Sequence, residues 1–554
     1  MKKPRNYSPF ALGVLLLVIA AVSTVAQAQT FSVLYNFGAN SGDPLAPDLP
    51  GIVAQGRDGN LYSTTISGGA TNGGAVFKIT PAGTLTVLYS FDGTHGFFPY
   101  GGLTLGTDGD FYGTTYAGGT SYSGGSNGWG TVFKVTASGR LTVLYNFTDG
   151  SDGAWPYAPP IQGKDGNFYG TTTLGGTQGN NGTIYKISPS GTFTPIYQFD
   201  YTHGSDAFAP LVQGIDGNFY GTTGFGGSNG NGIVFKITTA GEMTVLYNFD
   251  GTHGANPYGS LVQGSDGNFY GTTRAGGTGY GVVFKITPTG ALTVLHNIDG
   301  NTDGDTPLVG LVQGTDGNLY GVNSGIQLDT LGNIFKVSLK GSYSVLYNFD
   351  GTTGSNPKAT PFQHTNGTIY GDTNRGGTGS QGCGGCGVFY SLTGNLRAFV
   401  SLLPYSGKVG KTIEFLGQGF ASSTTVSFNG TLARPTVKSG TYLAAAVPNG
   451  ATTGFVRVTT SSGTLTSNKK FRVTPQIKSF GPTSGPVGTV VTITGVSLTQ
   501  TYEVTFGGVK ATTFTVNSDT QVTATVPTGA KTGKISITTA GGAATSATSF
   551  TVTL

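Results

Sequence analysis

From about residue 31 onward, apolar and polar residues alternate in short runs, and none carries the 3.6-residue period of an amphipathic helix. The runs recur as a unit of roughly 50 residues, a period typical of repeat architectures. Each unit reads L-V-Q-G-x-D-G-N-F-Y-G-T-T, a glycine-rich loop, then G-V-V-F-K-I-T-P-x-G-x-L-T-V-L-Y-N-F-D-G. Its Asp-Gly turn falls at Asp58, Asp108, Asp165, Asp216, Asp266 and Asp316, with Asn366 in the seventh copy. In the fifth copy the pattern predicts strands over 261–263, 268–273, 282–287 and 292–298. Asp-Gly and Pro-x-Gly turns join the first to the second and the third to the fourth. Four short antiparallel strands per unit are the pattern of a propeller blade, so seven copies predict seven blades.

The chain also predicts how such a ring closes. Phe31-Ser32-Val33-Leu34-Tyr35-Asn36-Phe37 is a fourth-strand sequence with no blade before it, and the seventh copy lacks its V-L-Y-N-F segment. The orphan strand fits the vacancy, which leaves few exposed edges. After Gly394 the composition shifts to Thr, Ser and Val, and a second repeat begins. Phe399-Val400-Ser401-Leu402-Leu403-Pro404 aligns with Ile477-Lys478-Ser479-Phe480-Gly481-Pro482, and Val447-Pro448-Asn449-Gly450 with Val526-Pro527-Thr528-Gly529. Alternating strands without helix signals read as two immunoglobulin-like β-sandwiches. The expected organisation is therefore all-β: a signal peptide over 1–28, a seven-bladed propeller over 29–394, and sandwiches over 395–473 and 474–554.

The first repeat resembles the GloVer-type tandem repeat of secreted bacterial proteins with varied anchors. The P-x-x-G-x-x-G-T-x-V-x-I-x-G stretch from Pro482 to Gly495 resembles the opening of IPT/TIG immunoglobulin-like domains. The resemblances imply extracellular or cell-surface placement and no known set of catalytic residues.

The N-terminus supports export. Lys2, Lys3 and Arg5 precede an apolar stretch over 10–22, and Ala26-Gln27-Ala28 fits a small-x-small cleavage site. The apolar stretch is shorter than the roughly 20 residues of a membrane span, so no span is expected in the mature chain. Without the three basic residues of the signal, 26 Lys and Arg face 25 Asp and Glu. That near-neutral balance argues against nucleic acid as a partner.

Variation concentrates in the glycine-rich loops and the inter-blade links, which the repeat places at one end of the blades, opposite the Asp-Gly turns. Loops on a rigid scaffold are where binding arises. The non-repeat residues there are Tyr116, Tyr122, Trp129, Trp155, His203, Arg274 and Arg375, and the aromatic ones suit sugar faces. The alternative is that they pack loops against blades. Lys78, Lys134, Lys186, Lys236, Lys285 and Lys336 share one third-strand position and are expected to pair with the Asp-Gly turn of their own blade, as Lys78 with Asp58. In the seventh copy Asn366 and Tyr390 replace both partners.

Catalysis finds little support. Glutamate is confined to Glu242, Glu414 and Glu503, against the two carboxylates that glycoside hydrolysis needs. A pair among Asp206, Asp303, Asp305, Asp329 and Asp372 is the remaining option. The G-x-S-x-G strings around Ser126 and Ser228 lie in glycine-rich loops and precede no helix. Calcium is the one cofactor to carry: Asp299, Asn301, Asp303 and Asp305 alternate as in the first half of a calcium loop, although Gly310 stands where the bidentate Glu would be. Cys383 and Cys386 predict a local disulfide in an oxidising compartment.

The expected function is a non-catalytic extracellular binding or scaffold protein, recognising a polysaccharide or cell-surface protein. The alternatives are a propeller carbohydrate-active enzyme with accessory sandwiches, or a purely structural cell-envelope protein.

Overall fold

The computed structural model describes residues 29–48, 51–120, 128–326, 330–379 and 385–554. The expected signal peptide lies outside these residues. No helix occurs among the described residues, and none is therefore long and apolar enough to cross a membrane.

Seven four-stranded antiparallel sheets fill the first two thirds of the chain, one per sequence repeat. In the fifth the strands are Val262–Gln263, Phe269–Thr273, Val282–Ile286 and Leu292–Asn297, within a residue or two of the pattern read from sequence. The seventh sheet takes its fourth strand from the N-terminus: Thr30–Asn36 pairs antiparallel with Val388–Thr393. The recurring glycine of the second strand has a packing reason. Gly221 lies opposite Phe235, and a Cβ there would sit 2.5 Å from the ring's Cζ.

Each hydrophobic cluster of the repeat region lies between two successive sheets. Tyr112 stacks on Phe168 at 3.7 Å and Tyr220 on Phe269 at 4.0 Å, second strand to second strand. A cluster of the same kind joins Tyr370, Phe389 and Cys386 of the seventh sheet to Leu61, Phe77 and Ile79 of the first.

Two series of hydrogen bonds reinforce these junctions. At the Asp-Gly end, a turn N–H donates to a glutamine of the next sheet, as Lys164 to Gln213 and Ser265 to Gln313, both at 2.9 Å. The series returns from seventh to first through Thr365 and Gln55 at 3.0 Å. At the other end, one residue in each link adopts a positive φ: Ala46, Phe98, Trp155, Asp206, Asn256, Thr306 and Asn356. Its N–H donates to a loop carbonyl of the preceding sheet, and its carbonyl accepts from the end of the second strand of its own sheet. Asn256 does so with Asn231 and Arg274, and Ala46 with Cys386 and Ile66.

The expected Asp–Lys pairs are not formed. The turn carboxylates are taken by tyrosine: Tyr62 donates to Asp58 at 2.8 Å, and Tyr112, Tyr169, Tyr220, Tyr270 and Tyr320 repeat the bond to their own turns. This tyrosine is the second residue of the second strand, four after the Asp, so its hydroxyl folds straight back onto the turn. The one lysine ion pair within a single repeat among the described residues joins Lys134 to Asp110 at 3.3 Å. Register also places Ser391, not Tyr390, at the lysine position of the seventh sheet, opposite Tyr370.

The C-terminal part forms two separate sandwich cores, one around Phe415, Phe428 and Phe471, the other around Ile493, Phe506 and Phe550. The first sandwich rests on the Asp-Gly end of the sheets. Arg57 meets Glu414, Thr441 donates to the Arg57 carbonyl at 2.8 Å, and Gln418 donates to Thr365 at 3.1 Å.

Candidate functional site

The glycine-loop end carries the side chains that the repeat does not account for. In each link one residue stands two positions after the positive-φ residue: Asp48, Tyr100, Tyr157, Phe208, Tyr258, Leu308 and Lys358. Four of the seven are aromatic and touch in succession. Tyr100 and Tyr157 are 4.8 Å apart between ring centroids, Tyr157 and Phe208 5.2 Å, and Phe208 and Tyr258 4.6 Å. Tyr258 then packs against the cluster that contains Leu308. At the far end Lys358 and Asp48 form an ion pair at 3.1 Å between the seventh and first sheets. Burial, aided by the Asp48 charge, raises the Tyr100 hydroxyl to about 12.

A second layer of aromatic residues lies on this arc. Tyr116 approaches Trp155 at 5.0 Å, Tyr157 at 5.1 Å and Tyr100 at 5.4 Å, and Trp155 reaches Trp129 at 6.0 Å. Phe225 meets Tyr258 at 6.1 Å. Tyr116, Trp129 and Trp155 are all half-buried, so each contributes both to loop packing and to the surface. Trp155 occupies the positive-φ position, with φ of +55°, a strained conformation for a bulky residue.

Arg274 stands at the end of the belt. Its guanidinium lies 5.5 Å over the Tyr258 ring, and Nη1 donates to the Tyr258 hydroxyl at 3.4 Å. It is exposed and lines an open depression of about 540 Å³ with Asn256, Ala275, Thr306 and Ile326.

Other expected site residues do not join this group. His203 is bound to its own link, with Nδ1 2.8 Å from Asp200 and its N–H on the same carboxylate. His95–Asp92 and His253–Asp250 repeat that turn. Arg375 is exposed and pairs with Ser355 through the backbone. Tyr122 and Asp329 lie outside the described residues, as does Cys383. Cys386 is buried and disulfide-bonded.

The calcium expectation does not find a gathered set of ligands. Asp303 accepts from His296 Nε2 at 2.6 Å and from the Asp299 N–H, closing its own turn. Asp299 caps Asn301 through the backbone N–H, while Asp305 is fully buried and bonded by the hydroxyls of Thr306 and Thr330. Among the described residues no three His, Cys, Asp or Glu side chains converge on a metal-sized point. The alternation of oxygen donors here belongs to a longer link, as at Asp43 and Asp152, whose carboxylates likewise take a fourth-strand tyrosine.

One carboxyl was underrated by its place in the repeat. In five sheets the fourth residue of the second-strand motif is a Thr whose hydroxyl donates to a link carbonyl of the next sheet, as Thr64 to Pro99 at 2.7 Å and Thr272 to Val309 at 2.8 Å. The seventh sheet has Asp372 there, wholly buried, with neither oxygen hydrogen-bonded. Burial, reinforced by the nearby Asp48, holds its carboxyl well above the ordinary range. The aromatic arc was missed for a similar reason: Tyr100, Tyr157 and Tyr258 follow the link proline, with Phe208 after Ala207, and they look like repeat consensus until the column is read across all seven copies.

The model of the Gloeobacter/Verrucomicrobia repeat matches over 21–124, 119–279 and 211–385, and the IPT/TIG domain over 398–473 and 475–552. No curated protein matches the chain. Among solved structures, a fungal alcohol oxidase of the AA5 family in complex with copper is 15% identical, with 81% of this chain and 100% of that chain covered at a TM-score of 0.44. A surface glycan-binding protein from Prevotella bryantii is 19% identical over 26% of this chain and 38% of that one, at a TM-score of 0.21. At these TM-scores neither likeness bears on activity or ligand. The matches to repeat and domain cover nearly the whole described chain, and the protein belongs to the Gloeobacter/Verrucomicrobia repeat family, with two IPT/TIG domains at its C-terminal end.

Proposed function

We propose that this is a secreted or cell-surface protein that binds a polysaccharide without acting on it. In this reading the seven sheets are the blades of a closed propeller and the glycine-loop end is its recognition face. Support for closure comes from the cluster and the two hydrogen-bond series that return from the seventh sheet to the first. The observation that carries the binding reading is the belt of touching rings from Trp129 through Tyr116 and Tyr157 to Tyr258, which ends at an open depression. Aromatic faces offer apolar area to a sugar ring at little entropic cost. The opposite end is engaged by the first sandwich, so the loop end is the broad surface left for a partner.

A carbohydrate-active enzyme is the second reading, favoured by the influence of Asp48 on Asp372, a carboxyl pair at the same end. Against it, Asp372 is wholly buried and Asp48 is engaged by Lys358. The test is to incubate residues 29–554 with soluble and insoluble polysaccharides, reading bound fraction and released reducing ends from the same tubes. Binding without product is expected. Product release overturns the non-catalytic reading, and absence of both turns the molecule into a structural envelope protein.

A further inference from the structure

Arg274 has a geometry that the binding reading alone does not explain. Its guanidinium is exposed, and among the described residues it forms no ion pair with any carboxylate. Among the described residues its side chain meets the ring and hydroxyl of Tyr258. An arginine has five N–H donors in a planar fork, so most of them remain available here. The Tyr258 hydroxyl accepts from Arg274, which leaves its own hydrogen to be donated elsewhere. Arg274 thus presents donors to the open depression that it lines, and the Tyr258 hydroxyl lies beside its guanidinium. The Asn256 amide is turned the other way, donating to the Gly224 carbonyl at 2.9 Å, so its oxygen stays as an acceptor for a sugar hydroxyl. The carboxylate nearest in sequence to the lining, Asp305, is buried and bonded by Thr306 and Thr330 rather than by Arg274.

We propose that the polysaccharide bound at this face is an anionic one of the uronate class, its carboxylate received by Arg274 and Tyr258 while neighbouring sugar rings lie on the aromatic belt. The proposal rests on the binding reading above. Charge complementarity favours a carboxylated chain, because a carboxylate takes the planar fork through charge-assisted bonds that are about twice as strong as those a sugar hydroxyl can accept. The mature chain is close to neutral overall, with 26 basic against 25 acidic side chains after removal of the signal. Selectivity for the anion is accordingly local to this site and not a long-range field effect.

The test compares each of three uronates, polygalacturonate, alginate and hyaluronan, with its methyl-esterified form, alongside a panel of neutral polysaccharides. Esterification keeps the backbone and removes the charge. At least one free acid is expected to bind about ten-fold more tightly than its ester, the scale of one charge-assisted hydrogen-bonded contact. Arg274→Gln is expected to abolish that difference, and Arg274→Lys to restore part of it. Arg140→Gln, on a turn away from the loop end, serves as the charge-matched control. Equal binding of acid and ester, or binding of neutral chains only, overturns this inference and leaves the binding reading in place. Failure of every polysaccharide to bind overturns both. Thermal melting of Arg274→Gln separates lost contact from lost fold, since the side chain is exposed.

Discussion

The guanidinium of Arg57 and the carboxylate of Glu414 meet at 2.7 Å across 357 residues of sequence. The reason lies one sheet away. Every other Asp-Gly turn gives its N–H to a glutamine of the next sheet, but the second sheet has Leu105 at that position. Arg57 spans this junction with its side chain instead, donating to the carbonyls of Thr107 and Asp108. The same guanidinium then holds Glu414 and lies 5.0 Å over the Tyr442 ring, while Tyr442 donates to Glu414 at 2.8 Å. A break in the repeat thus becomes the anchor for the sandwich.

Removing that anchor is expected to loosen the sandwich without unfolding the sheets. In Arg57→Ala, protease cleavage in the 394–399 connection should rise and small-angle scattering should report a larger radius of gyration. A cycle with Glu414→Gln should give a coupling of about 1 kcal/mol, the scale for a partly exposed bidentate pair. Unchanged cleavage in both variants would show that Thr441 and Gln418 suffice.

The seven positive-φ links are not equally comfortable. Asn256 and Asn356 suit the left-handed region, and their amides also reach the preceding sheet, on Gly224 and Ser324 at 2.9 Å. Phe98, with φ of +55°, has neither advantage and is 37% exposed. Phe98→Asn is therefore expected to stabilise the protein by about 1 kcal/mol through relieved strain and an added bond to the Ile66 carbonyl. Chemical denaturation measures it, and a loss of stability would contradict the strain argument.

Asp372 makes stability depend on pH in a stated direction. Its carboxyl is held above the ordinary range in the folded chain, by burial and by Asp48. Above the ordinary carboxyl range the unfolded chain has released this proton and the folded chain has not. Stability therefore falls as pH rises from about 4 toward neutral. Asp372→Thr, the residue of five sister sheets, removes this dependence and leaves a hydroxyl that can serve as donor. Its gain should be about 1–3 kcal/mol at pH 7 and vanish near pH 3. An equal gain at both values would show that packing rather than ionisation is at work.

Trp155 and Tyr116 meet at 5.0 Å near the middle of the aromatic belt. Trp155→Ala is expected to weaken polysaccharide binding roughly ten-fold, with Trp155→Phe intermediate. His203→Ala should leave affinity unchanged, because its ring is committed to Asp200. If His203 rather than Trp155 governs affinity, the site lies on the outer turns and not on the belt.

Strand order was legible from the repeat because alternation and turn chemistry are local properties of the chain. Thr30–Asn36 could be assigned to the seventh sheet from sequence alone, since a fourth-strand sequence that no repeat precedes has one vacant place to go. The lysine pairing failed for a reason of competition. Tyr62 and Lys78 are opposite one another in register, and the tyrosine hydroxyl reaches Asp58 within four residues. At Asp303 the same kind of competition operates, since His296 on the preceding strand holds its carboxylate.

What the sequence by itself determined is the all-β class, the count of repeats, the completing strand and the two sandwich modules. All of these follow from periodicity and turn residues. What only the tertiary structure decided is which side chains meet across sheets. The arc from Tyr100 to Tyr258, the Lys358–Asp48 pair and the orphan Asp372 each join residues from different copies, and no local pattern encodes such neighbours. They arise because successive sheets pack face to face, which brings one column of the repeat together around one end of the molecule.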